Sequence, residues 1–205
     1  MAWYDVFSRF YDASLEPHYR EQRALAAAAL DLTPDSVVLD LPCGTGQSLP
    51  HLLERGAGRI LGVDLSPGML RQARRRAAQA AWDQVTLIEG DATQIDATQV
   101  AQALGGTQVN RLHIFLGLSV FPDFARTFAR LWALLAPGGT CAVVDVHAET
   151  LGAQGRLVNW LAGADIRRRF WEPLEAVGVD YQRRPLPSKA LHGGQLWLAT
   201  ARKAG

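Results

Sequence analysis

Two carboxylates and a pair of glycines are spaced to act together on one ligand. In the stretch VVLDLPCGTGQSLP, residues 37–50, an apolar run (Val37, Val38, Leu39, Leu41) carries Asp40 near its end, and Gly44-Thr45-Gly46 follows before an apolar-periodic segment. That reads as strand, tight turn and helix, the layout that cradles a nucleotide-type cofactor. Glycine tolerates positive backbone torsions and, lacking a Cβ, lets a ligand approach the main chain. The following helix offers unpaired N–H groups to whatever lies above the turn. A second acid, Asp64, closes another short apolar run, Arg59-Ile60-Leu61-Gly62-Val63-Asp64. It falls about 20 residues further on, where an acid meeting ribose hydroxyls is expected. A carboxylate suits a diol because it accepts two hydroxyl hydrogen bonds at once.

Further segments extend this pattern in a fixed order. They are Leu39-Asp40-Leu41-Pro42-Cys43-Gly44-Thr45-Gly46, Gly62-Val63-Asp64-Leu65-Ser66-Pro67-Gly68-Met69-Leu70, Glu89-Gly90-Asp91-Ala92 and Leu134-Leu135-Ala136-Pro137-Gly138-Gly139. In these the chain resembles the class I S-adenosylmethionine-dependent methyltransferases, and within them the small group similar to quinone and phospholipid methyltransferases. The resemblance covers residues 4–147, with a looser match to the end. It implies S-adenosyl-L-methionine as cofactor, with Asp40, Gly44 and Gly46 at its methionine and ribose end and Asp64 on the ribose. It also implies Asp91 beside the adenine, the Ala92 amide near a ring nitrogen, and Thr45, Leu65, Met69 and Leu116 lining the same site. The pair Tyr11-Asp12 matches an aromatic lid of that family, which makes Tyr11 a candidate for the cofactor's methionine end or for catalysis on the acceptor.

The elements that must position these residues follow from periodicity. Trp3, Phe7, Phe10 or Tyr11, Leu15 and Tyr19 recur at helical spacing, interrupted by Pro17, and a second helix is expected from His18 to Leu30. The aromatics either cover the cofactor, pack on the sheet, or form an interfacial membrane helix. A helix from Gln47 to Arg55 follows the glycine turn. Ser66-Pro67 starts another, running to Ala81, since serine caps and proline fits the first helical position. Its apolar stripe is Leu70, Ala73, Ala77 and Ala80, with Arg71, Arg74 and Arg75 on a solvated face. Val85–Glu89 is a third strand ending at Asp91, which could equally be a plain turn aspartate.

Leu112–Leu116 reads as the fourth strand, followed by a loop to Asp123 at the ligand-binding carboxyl end of the sheet. Asn110-Arg111 stands where the family often has an acid, so no catalytic acid is assigned there. A helix from Phe124 to Leu135 is expected to be halted and reversed by Pro137-Gly138-Gly139. Cys141–His147 is the fifth strand, with Asp145 and His147 on one face. His147, able to take a proton near neutrality, is the second catalytic candidate, against the alternative of a structural histidine at a strand end. Residues 149–177 read as helical with polar breaks, Asp165 capping a helix that carries Arg167-Arg168-Arg169. Val179–Arg184 and Leu196–Ala201 are two last strands, matching the antiparallel hairpin that ends such sheets. The fold class is therefore α/β, a doubly wound, seven-stranded, mostly parallel sheet.

Composition narrows the partners. At 205 residues the chain is read as one domain, residues 1–32 forming a helical lid and 33–205 the cofactor-binding core. A net charge of +1 gives no reason to expect nucleic acid. Cys43 and Cys141 lack metal-ligand or Cys-x-x-Cys spacing, so neither a disulfide nor a metal site is expected, and a reducing cytoplasm is the default. No basic leader precedes an apolar stretch and no apolar window spans a bilayer, though peripheral membrane contact stays open. Oligomeric state cannot be read.

The acceptor expected from the resemblance is a small molecule or lipid-like compound. Methyl transfer is an in-line displacement with a neutral thioether leaving, so positioning and exclusion of water matter more than acid or base groups. A nicotinamide oxidoreductase fits less well, since Leu49 stands where its fingerprint wants a small residue and Asp91-Ala92 would have no role. A non-catalytic cofactor-binding subunit and aminocarboxypropyl transfer from the same cofactor stay open.

Overall fold

The computed structural model describes residues 19–187 and 193–205. A helix, α1 (residues 19–28), precedes seven strands: β1 (Val37–Asp40), β2 (Arg59–Asp64), β3 (Val85–Glu89), β4 (Val109–Phe115), β5 (Leu135–His147), β6 (Val179–Pro185) and β7 (Gln195–Arg202). They form one sheet in the order β3-β2-β1-β4-β5-β7-β6. Pairing from β3 through β5 is parallel, and β7 runs antiparallel to both β5 and β6. The doubly wound sheet with a closing antiparallel hairpin is thus as expected.

The central strands β1, β2, β4 and β5 form because their β-branched and aliphatic runs are buried on both faces. Leu39, Leu41, Leu112, Ile114, Cys141 and Val143 fill one core layer, and Val38, Ile60, Phe115, Ala142 and Val144 the other. The first layer is covered by α4 (Ala97–Leu104), α5 (Phe124–Leu134) and α7 (Glu172–Val177), through Val100, Leu104, Phe128, Leu131 and Leu174. The second is covered by α1 and α2 (Leu49–Glu54), through Tyr19, Ala26, Ala27, Leu30, Leu49 and Leu52. The crossovers leave β1 toward β2 on one face and enter β4 from the other, so the β1/β4 boundary is the topological switch point where open sheets bind ligands.

Several element boundaries depart from the sequence reading. Helix α2 starts at Leu49, not Gln47. Helix α3 (Pro67–Gln79) is capped by the Ser66 hydroxyl, which accepts from the Met69 N–H, and ends before Ala81. Of the expected stripe Leu70 and Ala73 are buried, Ala77 is half-buried and Ala80 is exposed, while Met69 is buried instead. Helix α4 was not anticipated, although Asp96 and Gln99 form a reciprocal capping box at its start and Gly105 ends it in the left-handed region. Pro137-Gly138-Gly139 follow the end of α5 as expected, in an irregular stretch of β5 between Leu135 and Thr140 where Gly138 takes φ 74°. Helix α5 passes directly into β5 at Leu135, because Val109 pairs with Leu135 and the Gly138 N–H and Gly139 carbonyl bond across to Lys203. The Lys203 ammonium also caps the carbonyls of Trp132 and Leu135 at the helix end (2.9 and 2.6 Å). Arg167-Arg168-Arg169 lie on a turn between α6 (Ala153–Ala162) and α7, not on a helix. The cause is Gly163, which ends α6 at φ 61°, and Asp165, which accepts from the Arg167 N–H.

Candidate functional site

The site is built where β1 and β2 end side by side, with Asp40 opposite Gly62 in register. Beyond Asp40 the chain continues between its neighbours, Leu41 donating to the His113 carbonyl and Cys43 to that of Val63. It then turns through Gly44 (φ 56°) and Gly46 (φ 78°). The two glycines differ in purpose. A Cβ on Gly46 would lie 2.8 Å from the Leu49 side chain and 3.2–3.3 Å from Ala73, so this glycine lets the turn pack against α2 and α3. A Cβ on Gly44 would meet nothing within 4 Å, so the turn faces open space there.

Asp64 is fixed at this turn. Its Oδ2 accepts from the Gly44 N–H (2.8 Å) and its Oδ1 from the Ser66 N–H (2.9 Å). Burial pushes its carboxyl pKa up, while these two amides oppose the shift. Each oxygen keeps a further lone pair, so the carboxylate is both oriented and able to accept from a diol. Leu65 beside it is half exposed, whereas Met69 is buried at the start of α3.

Asp40 does not stand alone, and its partner was missed in the sequence. His113 of β4 faces it in register, with ring Nδ1 2.7 Å from Asp40 Oδ1; both side chains are buried. Asp40 Oδ2 and His113 Nε2 have no hydrogen-bond partner among the described residues. The only sequence signal was a histidine inside the apolar run Leu112–Leu116, and its pairing depends on strand order. Arg23 of α1 was missed as well. Its guanidinium donates to Gln47 Oε1 (2.7 Å) and Ser48 Oγ (3.1 Å) and lies 4.3 Å above the Phe115 ring, tying α1 to the residues after the glycine turn. Arg76 of α3 reaches the same turn at the Thr45 carbonyl.

At the tip of β3, Asp91 makes an Asx turn. Its Oδ1 accepts from the N–H and hydroxyl of Thr93 (2.8 Å each) and its Oδ2 from Gln94 Nε2 (3.1 Å). The turn role left open by the sequence is therefore present, with one lone pair of Oδ2 still available beside buried Ala92. Leu116 follows β4 with φ 56°, its N–H bonded to the Val144 carbonyl. Next to it, buried Asp145 accepts from the Ser119 and Val146 N–H groups, and burial raises its pKa to about 6.

His147 and Asp145 share the β5 face that points into the α5 and α7 layer, away from the layer holding Asp40 and His113. His147 Nδ1 donates to the Arg168 carbonyl (3.1 Å) and the ring meets Trp171 edge-on (4.8 Å between centroids). Only Nε2 is then left for proton transfer. Arg168 in turn points inward, donating to the carbonyls of Leu118, Ser119 and Phe121. Tyr11 and the rest of the aromatic lid before residue 19 lie outside the described residues.

The donor set fits S-adenosylmethionine. A buried carboxylate oxygen without a partner at Asp40 suits a donor on the methionine end, oriented Asp64 suits a ribose, and the open space over Gly44 admits the ligand. Among the described residues no group of three His, Cys, Asp or Glu side chains is placed to hold a metal ion, and no helix is long and apolar enough to cross a membrane. Cys43 and Cys141 are buried free thiols, their pKa values raised by burial.

Comparison with known proteins agrees with this geometry. A family model described as a methyltransferase domain matches residues 38–139. The chain is 30% identical over 158 residues to the demethylmenaquinone methyltransferase of Thermobifida fusca, covering 77% of this chain and 62% of that protein. It is 33% identical over 158 residues to the trans-aconitate 2-methyltransferase of Methylobacterium nodulans, covering 75% and 56%. The chain thus spans less than two thirds of the length of these relatives. Among solved structures, a putative methyltransferase bound to the Trm112 activator of Haloferax volcanii superposes with a TM-score of 0.78 at 18% identity, covering 98% of both chains.

Proposed function

Because the chain belongs to the class I S-adenosylmethionine-dependent methyltransferases, we propose that it is an enzyme methylating a small apolar or amphipathic acceptor, such as a quinol, a lipid head group or a similar metabolite. The observation that carries this is the Asp64 carboxylate locked onto the Gly44 N–H beside an open glycine turn. When bound, S-adenosylmethionine supplies an electrophilic methyl carbon on a sulfonium, with a neutral thioether as leaving group.

The protein's share is to bind, orient and exclude water. Asp40, Gly44, Thr45 and Gly46 hold the methionine and ribose end, Asp64 with Leu65 and Met69 the ribose side, and Asp91, Ala92 and Leu116 the adenine side. Tyr11, outside the described residues, is assigned to the methionine end or the acceptor by the family resemblance alone. For an acceptor that must lose a proton, Nε2 of His147 serves as the base, its ring held by the Nδ1–H donated to Arg168.

The acceptor class is supported by the name of one relative, which acts on demethylmenaquinone, whereas another acts on trans-aconitate, a polar tricarboxylate. It is also supported by apolar surface on α6, six residues beyond the carboxyl end of β5, where Leu157 is 54% and Trp160 78% exposed. An amphipathic compound, or the membrane that delivers it, matches such a surface better than a small tricarboxylate does.

The test is calorimetric titration with S-adenosylmethionine and with NAD. Incubation with a demethylated quinol, phospholipids and trans-aconitate follows, with mass spectrometry of each acceptor. A mass gain of one methylene on the quinol or lipid is the expected result. Binding of NAD but not of S-adenosylmethionine would overturn the reading, and a gain matching an aminocarboxypropyl group would reassign the transferred group.

A further inference from the structure

We propose that His113 is a positioning residue for cofactor binding. Through Nδ1 it fixes the Asp40 carboxylate so that Oδ2 is presented to a donor on the methionine end of the ligand. The inference rests on the cofactor reading above and goes beyond it in assigning a residue that none of the sequence motifs contains.

A carboxylate only accepts hydrogen bonds, so the 2.7 Å contact requires the proton on His113 Nδ1. Nε2 is the ring's other polar atom. Asp40 is 1% exposed and His113 0%, yet Oδ2 and Nε2 have no partner among the described residues. Burying a carboxylate oxygen without a donor is unfavourable, and native structures rarely do so away from functional sites. Oδ2 belongs to the residue four positions before Gly44, at the end of β1, where the glycine turn opens.

The imidazole is itself held. Its ring stacks on Phe115 (6.1 Å, 22°), which carries the Arg23 guanidinium at 4.3 Å and meets Tyr19 edge-on at 6.0 Å. An apolar side chain would satisfy that core layer equally well. An imidazole there gains its purpose from Asp40, because without the Nδ1–H the buried carboxylate loses the one side-chain donor it has among the described residues and is free to turn.

Two near-isosteric amides separate this role from simple packing. In His113→Asn the side-chain NH2 replaces Nδ1, whereas in His113→Gln the amide sits near Nε2 and leaves Asp40 without its donor. Titration with S-adenosylmethionine should find the Asn variant within about threefold of wild type and the Gln variant weakened about tenfold or more. Thermal midpoints of the ligand-free variants should fall together. Asp40→Asn should cause a similar loss, and adding His113→Gln to it should cost little more, since the two residues act as one unit.

Equal affinities for the Asn and Gln variants, or losses from Asp40→Asn and His113→Gln that add in full, would overturn the assignment. If His113→Gln does not fold by circular dichroism, His113→Ser removes both ring nitrogens and carries the same expectation. Absence of binding by the wild-type chain, or an unchanged Asp64→Ala variant, would instead show that the cofactor reading itself fails.

Discussion

At Asp64 the same two backbone amides that hold the carboxylate also oppose the rise in pKa that burial causes. Replacing it with alanine removes the acceptor expected to meet the ribose and leaves the Gly44 N–H unpaired. Asp64→Ala should weaken S-adenosylmethionine binding by about 1–3 kcal/mol, as loss of hydrogen bonds to a charged group does, and calorimetry would read it. The paired glycines give a contrast. Gly46→Ala places a methyl 2.8 Å from Leu49 and against the backbone of α3 at positive φ, so chemical denaturation should show a loss of about 1–3 kcal/mol in stability. Gly44→Ala meets no atom. Its backbone strain should cost about 1–2 kcal/mol, while its Cβ occupies the space the cofactor needs, so its affinity should fall more than its stability.

Among the elements, the loop after β4 is where unlike parts of the chain are tied together. Ser119 donates its N–H to Asp145 on β5 and accepts at its carbonyl from the Asp165 N–H beyond α6. Arg168 gathers three carbonyls of the same loop. Arg168→Ala leaves those carbonyls without their cation and should lower stability by about 1–3 kcal/mol, with faster amide exchange over residues 117–123 than over β4. Equal exchange in both would show that the loop does not depend on the arginine. Helix α4 depends on a simpler device. Asp96→Ala removes the capping box and should cost about 1 kcal/mol, detectable as a shift of the urea midpoint without change in cofactor affinity.

For the molecule as a whole, Asp145 links the sheet to pH. Its carboxyl pKa is raised by burial from 3.8 to about 6. The folded state therefore holds a proton that the unfolded chain gives up earlier. This contribution to stability is complete below the unfolded value and is lost as pH rises through about 6. Two pKa units correspond to about 3 kcal/mol. Asp145→Asn cannot ionise, so the stability difference between wild type and variant should shift in the variant's favour between pH 4 and pH 7. Urea denaturation at the two pH values would measure this, and an unchanged difference would count against a buried, shifted carboxyl.

What the sequence determined was whatever rests on local pattern: the apolar runs of β1 to β3, the glycine turn, Ser66-Pro67 at the head of α3, and the two acids at the ends of β1 and β2. These were legible because alternation, capping and turn chemistry act over a few neighbouring residues. The boundaries that failed were those fixed from afar. Pro137-Gly138-Gly139 does follow the end of α5, but β5 already begins at Leu135, because that residue pairs with Val109 of β4. The three arginines of residues 167–169 looked helical, yet they lie on a turn, with Arg168 folded onto the loop after β4. Only the tertiary structure could pair Asp40 with His113, 73 residues apart. It could do so because β4 adds beside β1 at the switch point, and strand order is set by how helices cover two faces of a sheet, which no short stretch of sequence encodes.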